Sequence, residues 1–367
     1  MKYIEEFRNG NFAKALAKAI ETQVDPDRHY QFMEFCGGHT HAIHRYGIPS
    51  LLPNNVEMIH GPGCPVCVLP MATTDKAMAL AALPNVILCS YADMVRVPGT
   101  GQKNLLHAKA KGADVRMIYS ASDALRIAQE NPHKEIIFFA IGFETTTPPT
   151  ALVIRQAHQL KLSNFSVFCN HVLTPVPMDH LLQSNEVKLD GFIGPAHVSI
   201  VIGSQPYEAV CKKYNKPIVI SGFEPLDVLH SILMLIQQTN EQRCEVEIQY
   251  TRAVNRLGNQ LSQQIMAEVF ELRDQFEWRG LGLIPQSALK IRAEYAEFDA
   301  EKRFDIPHFT SQEHKQCICG EVLRGVKKPI ECKLFAKACV PENPLGSCMV
   351  SSEGACAAVY AYGRVNA

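Results

Sequence analysis

Two continuously apolar stretches decide the fold class: Ile-Ile-Phe-Phe-Ala-Ile at residues 136–141 and Pro-Ile-Val-Ile at residues 217–220. Such runs are typical of strands that helices cover on both faces. Similar β-rich runs surround them, separated by segments with the three-to-four spacing of a helix that buries one face. These further runs lie at residues 30–36, 56–60, 86–91, 115–119, 165–172 and 191–194. The alternation predicts βα units on mostly parallel sheets.

The alternation stops near residue 225, where two long helical patterns follow at 225–240 and 252–276. Beyond Trp278 the sequence is irregular and punctuated by Gly and Pro. Because single hydrophobic cores stop growing at roughly 250 to 300 residues, the chain length predicts several domains. We expect two doubly wound α/β/α domains and a helical, irregular C-terminal iron-sulfur domain. The predicted limits are 25–120, 121–240 and 241–367, with the N-terminal helix 1–24 a candidate to join the last.

The charge balance excludes several classes of protein. Lys and Arg number 36 against 37 for Asp and Glu, and the basic residues form no run. Nucleic acid and anionic membrane surfaces both require clustered basic charge, so we expect neither as a partner. No stretch reaches the roughly 20 apolar residues of a membrane span, and the N-terminus lacks the pattern of a signal sequence. The sequence therefore predicts a cytoplasmic protein, in which the 13 cysteines are metal ligands, redox thiols or packing residues.

Three motifs follow predicted strands: Cys-Gly-Gly-His-Thr-His at 36–41, Gly-Pro-Gly-Cys-Pro-Val-Cys at 61–67 and Gly-Phe-Glu-Thr-Thr at 142–146. Ligands of open α/β sheets bind outside the carboxyl ends of the strands. Glycines there allow close backbone approach, and thiolates and imidazoles bind soft or borderline metals. The candidate site residues are Cys36, His39, Cys64, Cys67 and Glu144. Three further residues at strand ends are candidates to line the same crevice: His171, His197 and Glu224, the last because residues 222–224 repeat the Gly-Phe-Glu of 142–144.

The Cys64-Pro65-Val66-Cys67 segment alone leaves three interpretations open: a thioredoxin-like redox pair, half of a zinc site, or two thiols in a tight turn. Together with Cys36 and His39 it forms a Cys3His set, which is an ordinary structural zinc donor set. Structural zinc, however, usually stabilises small or irregular folds. These residues lie on loops of a domain that has its own core.

The C-terminal segment holds six cysteines, namely Cys317, Cys319, Cys332, Cys339, Cys348 and Cys356. Paired zinc sites usually show two Cys-x-x-Cys motifs, and none occurs in this segment. A 4Fe-4S cluster needs four thiolates and tolerates wide spacing, so the spacing favours a cluster with two cysteines left over. The isolated cysteines elsewhere are expected to be packing residues: Cys89, Cys169, Cys211 and Cys244.

These motifs resemble the HypD family of nickel-iron hydrogenase maturation factors. The resemblance rests on residues 35–41, 61–67 and 142–146, together with Gly-Phe-Glu-Pro-Leu-Asp at 222–227 and Met-Val-Ser-Ser-Glu-Gly-Ala-Cys at 349–356. The matching segments appear in the family's order and extend over nearly the whole chain, from 31 to 362.

The resemblance implies a scaffold and not a turnover enzyme. Such proteins bind a small HypC-type chaperone, and together the two hold an iron atom with two cyanides and one carbon monoxide. A HypE-type protein supplies the cyanide, and the iron complex passes to the hydrogenase large subunit. By this resemblance Cys36 is the iron thiolate, and His39 is a second ligand or a hydrogen-bond donor beside it.

The same resemblance assigns redox roles to the remaining thiols. Cys64 and Cys67 match a pair that exchanges with a disulfide and passes electrons. The expected cluster ligands are Cys319, Cys332, Cys339 and Cys356, which leaves Cys317 and Cys348 without a role. Two other functions remain open: a cluster-dependent thiol-disulfide reductase with Cys64 and Cys67 as its dithiol, and a zinc-stabilised α/β binding protein.

Overall fold

The computed structural model describes residues 4–311 and 313–363. Its strands are β1 (Tyr30–Glu34), β2 (Val56–His60), β3 (Val86–Ser90), β4 (Asp114–Met117), β5 (Glu135–Gly142), β6 (Phe165–His171), β7 (Gly191–Pro195), β8 (Ile218–Ser221), β9 (Val246–Ile248), β10 (Phe270–Leu272), β11 (Gln275–Trp278), β12 (Gly282–Pro285) and β13 (Leu289–Ile291).

The α-helices are α1 (Gly10–Gln23), α2 (Gly37–Arg45), α3 (Pro65–Val68), α4 (Met71–Ala81), α5 (Leu105–Ala110), α6 (Ala121–Glu130), α7 (Thr147–Gln159), α8 (Pro175–Ser184), α9 (Ala196–Ile202), α10 (Gln205–Tyr214), α11 (Pro225–Asn240), α12 (Gln260–Val269), α13 (Ala300–Arg303), α14 (Cys319–Leu323) and α15 (Ala355–Tyr362). Single 3-10 turns lie at Glu5–Arg8, Ile48–Leu51, Ala92–Arg96, Thr100–Gln102, Ala293–Phe298, Pro329–Glu331 and Ser347–Met349.

Two parallel sheets form the centre of the fold. Sheet A has the strand order β2-β1-β7-β8-β9, and sheet B has the order β4-β3-β5-β6. Every residue of β8 and all but the first residue of β5 are buried. Helices therefore cover both faces, and the predicted α/β class with parallel sheets is confirmed.

The two sheets do not separate at residue 120, where we placed the limit between the first two domains. Strands β3 and β4 pair within sheet B, next to β5. The chain then returns to sheet A, where β7 pairs with β1. Residues 86–171 thus form one sheet inserted between the two parts of the other. Pairing between strands about 160 residues apart leaves no trace in local periodicity, which explains the difference.

The helical pattern expected at 252–276 is wrong over most of its length. Only α12 is helical there, and the chain then turns into β10 and β11. Residue Phe270 pairs with Ile291, and the exposure of 275–278 alternates with a period of two, burying Phe276 and Trp278. Tertiary strand pairing overrides the local helical pattern in this region.

The ends of the chain pack on sheet A. Helix α1 packs against α11, with Ile20 buried in the same apolar cluster as Val228 and Ile232. Helix α15 packs against α2, which brings the C-terminal segment to the carboxyl end of β1. No helix among the described residues is long and apolar enough to cross a bilayer.

Candidate functional site

Cys36 lies between the carboxyl end of β1 and the first turn of α2. Its main-chain N–H donates to Glu34 Oε2 at 3.0 Å, and its carbonyl accepts from the N–H groups of His39 at 2.9 Å and Thr40 at 3.1 Å. The side chain is half-buried. Burial raises the pKa of the thiol, and the carboxylates of Glu353 and Glu34 raise it further. A thiolate at this position therefore requires a cation, such as a bound metal, beside it.

The loop that carries Cys36 is joined to the loop that carries Cys64 and Cys67. The N–H of Gly37 donates to the carbonyl of Gly63 at 3.0 Å. A Cβ atom on Gly63 would lie 2.3 Å from the main-chain nitrogen of Cys36, so this approach requires glycine. Cys64 and Cys67 form a disulfide at the start of α3, with Cα atoms 5.2 Å apart. The strand-end motifs of β1 and β2 thus meet, as the sequence predicts.

His39 is fully buried beside Cys36, on the first turn of α2. Its Nε2 lies 3.0 Å from the carbonyl oxygens of both Ser221 and Gly222, so this nitrogen carries the proton and donates. Its Nδ1 has no partner among the described residues. Burial lowers the pKa of His39 to about 4. At neutral pH the Nδ1 lone pair is therefore free to bind a metal or accept a hydrogen bond.

An aromatic ring completes the crevice. Phe223 stacks on His39, with ring centroids 4.6 Å apart, and on its other contact the ring centroids of Phe223 and His197 are 4.1 Å apart. Phe223 belongs to the repeated Gly-Phe-Glu motif, so that motif contributes its ring to the site. We call this arrangement of Cys36, His39, Gly63 and Phe223 the Cys36 crevice.

Two other residues predicted to line the crevice, His171 and Glu224, have hydrogen-bond or ion-pair partners outside it. His171 lies at the end of β6 in sheet B, where its Nε2 lies 2.9 Å from Thr150 Oγ1. Glu224 forms an ion pair with Arg8. The contacts of these two side chains are with Thr150 and Arg8, and not with Cys36 or His39.

Glu144 lies at the carboxyl end of β5 in sheet B. Its carboxylate accepts from the N–H and the hydroxyl of Thr174, both at 2.9 Å. Burial raises the pKa of Glu144 to about 7. Burial also raises the pKa of Tyr207, and the charges of both Glu144 and Cys36 raise it further. The hydrogen bonds of the Glu144 carboxylate are thus with Thr174, and not with Cys36 or His39.

All six C-terminal cysteines line one cavity, together with apolar residues that include Leu334, Phe335 and Met349. The sulfur atoms of Cys319 and Cys348 are 2.8 Å apart. Hydrogen bonds from Cys317 and Cys348 lower the pKa of the Cys319 thiol well below its usual value. We call this arrangement the cysteine cavity; it contains the four predicted cluster ligands and both cysteines that the resemblance leaves without a role.

The donor set of the cysteine cavity fits a thiolate-bound cluster. As the side chains stand, no three His, Cys, Asp or Glu residues in the described part of the chain are arranged to hold a single metal ion. Nearby, however, the Arg279 side chain is 1% exposed, and both of its Nη atoms lack partners among the described residues. Its charge contributes to the lowered pKa of Cys319. The Nε of Arg279 pairs with Glu313 at 3.3 Å and donates to the carbonyl of Leu69 at 3.0 Å. A buried guanidinium whose Nη atoms remain without partners beside the thiols suits a group with net negative charge.

Ser347 connects the cysteine cavity to the disulfide. Its hydroxyl donates to the carbonyl of Cys67 at 2.9 Å and lies 3.6 Å from the sulfur of Cys319. The Cys67 sulfur lies 3.8 Å from the Ser347 carbonyl oxygen. The two groups of thiols are therefore adjacent through one buried residue.

Sequence reasoning missed four residues of this region: Glu34, His60, Arg279 and Ser347. Glu34 and His60 lie on strands and are hydrogen-bonded at 2.8 Å between Oε1 and Nδ1. A charged residue at the end of the otherwise uncharged strand β1 is a usable signal for Glu34. Arg279 and Ser347 stand in irregular segments, where nothing in the sequence distinguishes them from surface residues.

Comparison with known proteins identifies the family. The chain matches the HypD model, described as the hydrogenase formation hypA family, over residues 11–363. It is 60% identical over 370 residues to hydrogenase maturation factor HypD of Cupriavidus necator, covering 99% of this chain and 98% of that protein. It is 60% identical over 369 residues to hydrogenase expression/formation protein HupD of Azotobacter chroococcum mcd 1, covering 99% and 97%. Identity to HypD of Escherichia coli K12 is 44% over 367 residues, covering 99% and 98%. The chain therefore belongs to the HypD family of hydrogenase maturation factors.

Proposed function

We propose that the protein is the scaffold on which the iron of a nickel-iron hydrogenase receives two cyanides and one carbon monoxide. The iron complex is cargo, held at the Cys36 crevice together with a small HypC-type chaperone and later passed to the hydrogenase large subunit. A HypE-type protein supplies the cyanide. The protein acts as a redox-active scaffold without turnover of its own.

The convergence of the Cys36 loop and the Cys64–Cys67 loop carries this proposal. An iron atom with cyanide and carbon monoxide ligands is low-spin iron(II), and a soft thiolate stabilises that state. Cys36 supplies the thiolate, whose raised pKa in the free protein makes it dependent on the bound iron. His39, three residues further along, has an unpartnered Nδ1 that would serve as a second ligand or as an acceptor of a hydrogen bond.

The second part of the proposal concerns electrons. Reducing the Cys64–Cys67 disulfide to two thiols takes two electrons and two protons. A 4Fe-4S cluster in the cysteine cavity would supply electrons one at a time. Ser347 holds Cys67 next to Cys319 through the hydrogen bond to the Cys67 carbonyl, and Arg279 places a positive charge beside the donor thiols. The residues that would hold the cluster are Cys319, Cys332, Cys339 and Cys356.

A thiol-disulfide reductase that acts on other proteins is the alternative function. Its support is the disulfide itself, which lies next to the cysteine cavity. Cys64 and Cys67 are, however, 3% and 0% exposed, and exchange with a protein substrate requires access to the attacked sulfur. The burial therefore favours electron transfer within the protein over attack on an external partner.

Infrared spectroscopy of the anaerobic complex tests the scaffold. The full chain is purified with its HypC-type partner, and the stretching bands of iron-bound cyanide and carbon monoxide are recorded. We expect the bands in the native complex and their loss in Cys36→Ala, with about four irons per chain retained. A matched control is Cys244→Ala, because Cys244 is also half-buried but lies outside the crevice.

Three outcomes would overturn the proposal. Cys36→Ala that still accumulates both bands would remove Cys36 as the iron thiolate. The native complex could also form without either infrared band, while its disulfide is reduced and then reoxidised by an added protein substrate. That result would favour the reductase. A colourless protein that binds zinc in place of iron would support the zinc-stabilised binding protein.

A further inference from the structure

Two imidazoles, those of His44 and His60, face one another near the end of β2. His44 lies in the last turn of α2 and His60 is the last residue of β2. Their Nε2 atoms are 2.8 Å apart, with ring centroids at 4.9 Å. Both side chains are partly buried. Neither residue belongs to the Cys36 crevice or to the cysteine cavity.

Glu34 sets the orientation and the tautomer of His60. The Nδ1 of His60 lies 2.8 Å from Oε1 of Glu34, whose side chain is fully buried. The same carboxylate accepts hydrogen bonds from the hydroxyl of Thr40 and the main-chain N–H of Cys36. When Glu34 is ionised, His60 donates to it from Nδ1, and the Nε2 of His60 accepts the hydrogen bond that the Nε2 of His44 donates. A carboxylate that fixes a histidine in this way is the usual second layer of a metal site.

His44 is suited to act as the second ligand. Burial and the neighbouring His60 lower the pKa of His44 to about 3. The imidazole is therefore neutral at physiological pH, and its Nε2 lone pair becomes available to a metal ion when the proton moves from Nε2 to Nδ1. A metal ligand must be in this deprotonated form.

A surface groove gives a metal ion access to the pair. His44 and His60 line this groove together with Glu57 and Lys328. Glu57 is already paired with Lys328 at 2.5 Å and with His29 at 3.3 Å. Among the described residues, no third protein ligand is therefore free at this place, and water would complete the coordination.

The distance between the imidazoles indicates the class of ion. Metal–nitrogen bonds to histidine are about 2.1 Å long, so two nitrogens 2.8 Å apart subtend an angle of about 85° at a shared ion. This angle matches neighbouring positions of an octahedron, whereas tetrahedral zinc would need a separation of about 3.4 Å. Among imidazole-binding first-row ions, divalent iron and nickel accept six ligands with water. We propose that the Nε2 atoms of His44 and His60 bind an octahedral first-row divalent ion, with Glu34 orienting His60.

Equilibrium dialysis of the full chain under anaerobic conditions tests this site, with Ni²⁺ in one arm and Fe²⁺ in the other. We expect His44→Phe to bind one ion fewer per chain than the native protein in the Ni²⁺ dialysis, the Fe²⁺ dialysis or both. The metal for which binding falls is the metal that the site takes. Metal ions bound at the thiol sites are equal in number in both proteins, so they cancel when the two ion counts are subtracted. His29→Phe is the matched control, because this histidine lines the same groove but pairs with Glu57, and it should bind as many ions as the native protein.

A second variant and a spectroscopic readout secure the result. His44→Gln should show the same loss of one ion. Because Gln has no ring, this result would exclude an effect of the larger phenyl ring in His44→Phe. X-ray absorption at the metal edge of the loaded native protein should add a nitrogen and oxygen shell that His44→Gln lacks. Equal binding by the native protein and both variants in both arms, or a shell of sulfur alone, would overturn the proposal.

Discussion

The hydroxyl of Ser347 donates a hydrogen bond of 2.9 Å to the main-chain carbonyl of Cys67. These two residues are 280 positions apart, and each is fully buried. The contact joins the segment after β2 that carries the disulfide to the C-terminal segment that lines the cysteine cavity. In the proposed function this hydrogen bond is one of the contacts that hold the disulfide next to the cysteine cavity.

Replacing Ser347 by Ala should loosen this junction. The carbonyl of Cys67 would lose its buried donor, which typically costs about 1–3 kcal/mol of stability. We expect slower reduction of the Cys64–Cys67 disulfide after a chemical reductant is added to cluster-loaded protein, measured by counting free thiols with time. Ser352→Ala, at an exposed position of the same segment, should leave the rate unchanged. An unaltered rate in Ser347→Ala would mean that electrons reach the disulfide by another route.

Gly63→Ala should separate the two loops of the Cys36 crevice. The added Cβ would meet the main-chain nitrogen of Cys36 at 2.3 Å and its Cα at 2.5 Å. Backbone atoms cannot give way as a flexible side chain can, and such overpacking costs about 1–3 kcal/mol. We expect the variant to lose the infrared bands of the iron complex while it keeps the iron of its cluster.

The control for this variant is Gly10→Ala in α1, where an added Cβ would meet nothing within 4 Å. This control should retain both the bands and the cluster. If Gly63→Ala also retained the bands at native intensity, the close approach of the two loops would not be needed to hold the iron complex.

The strands could be predicted from the sequence because burial on both faces leaves continuous apolar runs, as at 136–141. The partners of each strand could not. Strand β7 returns to pair with β1 after the whole of sheet B has intervened, and no local pattern encodes that return. The helix expected at 252–276 failed for a related reason, since the pairing of Phe270 with Ile291 depends on residues outside the window.

The candidate site was predictable to the extent that it lies on strand ends. Parallel strands bring their carboxyl ends to one edge, so Cys36 and the loop of Cys64 meet without further information. The supporting residues were not predictable. Ser347 and Arg279 contact the segment around Cys67 from positions more than 200 residues away in the chain. His60 acquires its partner Glu34 only when β1 and β2 pair.

The cluster ligands can be separated from the neighbouring thiols by substitution. Cys319 and Cys317 both line the cysteine cavity, but only Cys319 is in the ligand set implied by the family resemblance. We expect Cys319→Ala to lose most of its cluster iron and its visible absorption, and Cys317→Ala to keep about four irons per chain. The opposite pattern would exchange the roles of the two cysteines. Iron content and absorption of anaerobically purified protein provide the measurement.

A buried histidine in sheet B should make stability depend on pH. Burial lowers the pKa of His171 to about 4, whereas in the unfolded chain its pKa is about 6.5. The native state therefore binds fewer protons, and stability present above pH 6.5 is lost as pH falls towards 4. Between pH 7 and pH 5 this residue should cost the native protein about 2 kcal/mol of unfolding free energy.

Denaturant unfolding of the native protein and of His171→Gln at both pH values isolates this contribution. The other buried histidines are present in both proteins and cancel in the comparison. The native protein should lose more stability on acidification than the variant does. Parallel losses in the two proteins would show that His171 does not titrate between these pH values.

Arg279 should tune the reduction potential of the cluster. Its guanidinium is buried and pairs through Nε with Glu313 at 3.3 Å. Its Nη atoms lack partners in the described part of the chain, and its charge favours the thiolate of Cys319. Reduction adds a negative charge, so a nearby positive charge stabilises the reduced state.

Arg279→Met keeps the length of the side chain and removes the charge. We expect it to lower the reduction potential of the cluster by tens of millivolts, since about 1.4 kcal/mol corresponds to about 59 mV for one electron. Arg324→Met is the matched control, because Arg324 also pairs with a carboxylate, Glu186 at 2.6 Å, whereas the charge that acts on Cys319 is that of Arg279. Redox titration followed by electron paramagnetic resonance should therefore show a lower potential in Arg279→Met alone, and an equal potential in both variants would mean that the buried guanidinium does not act on the cluster.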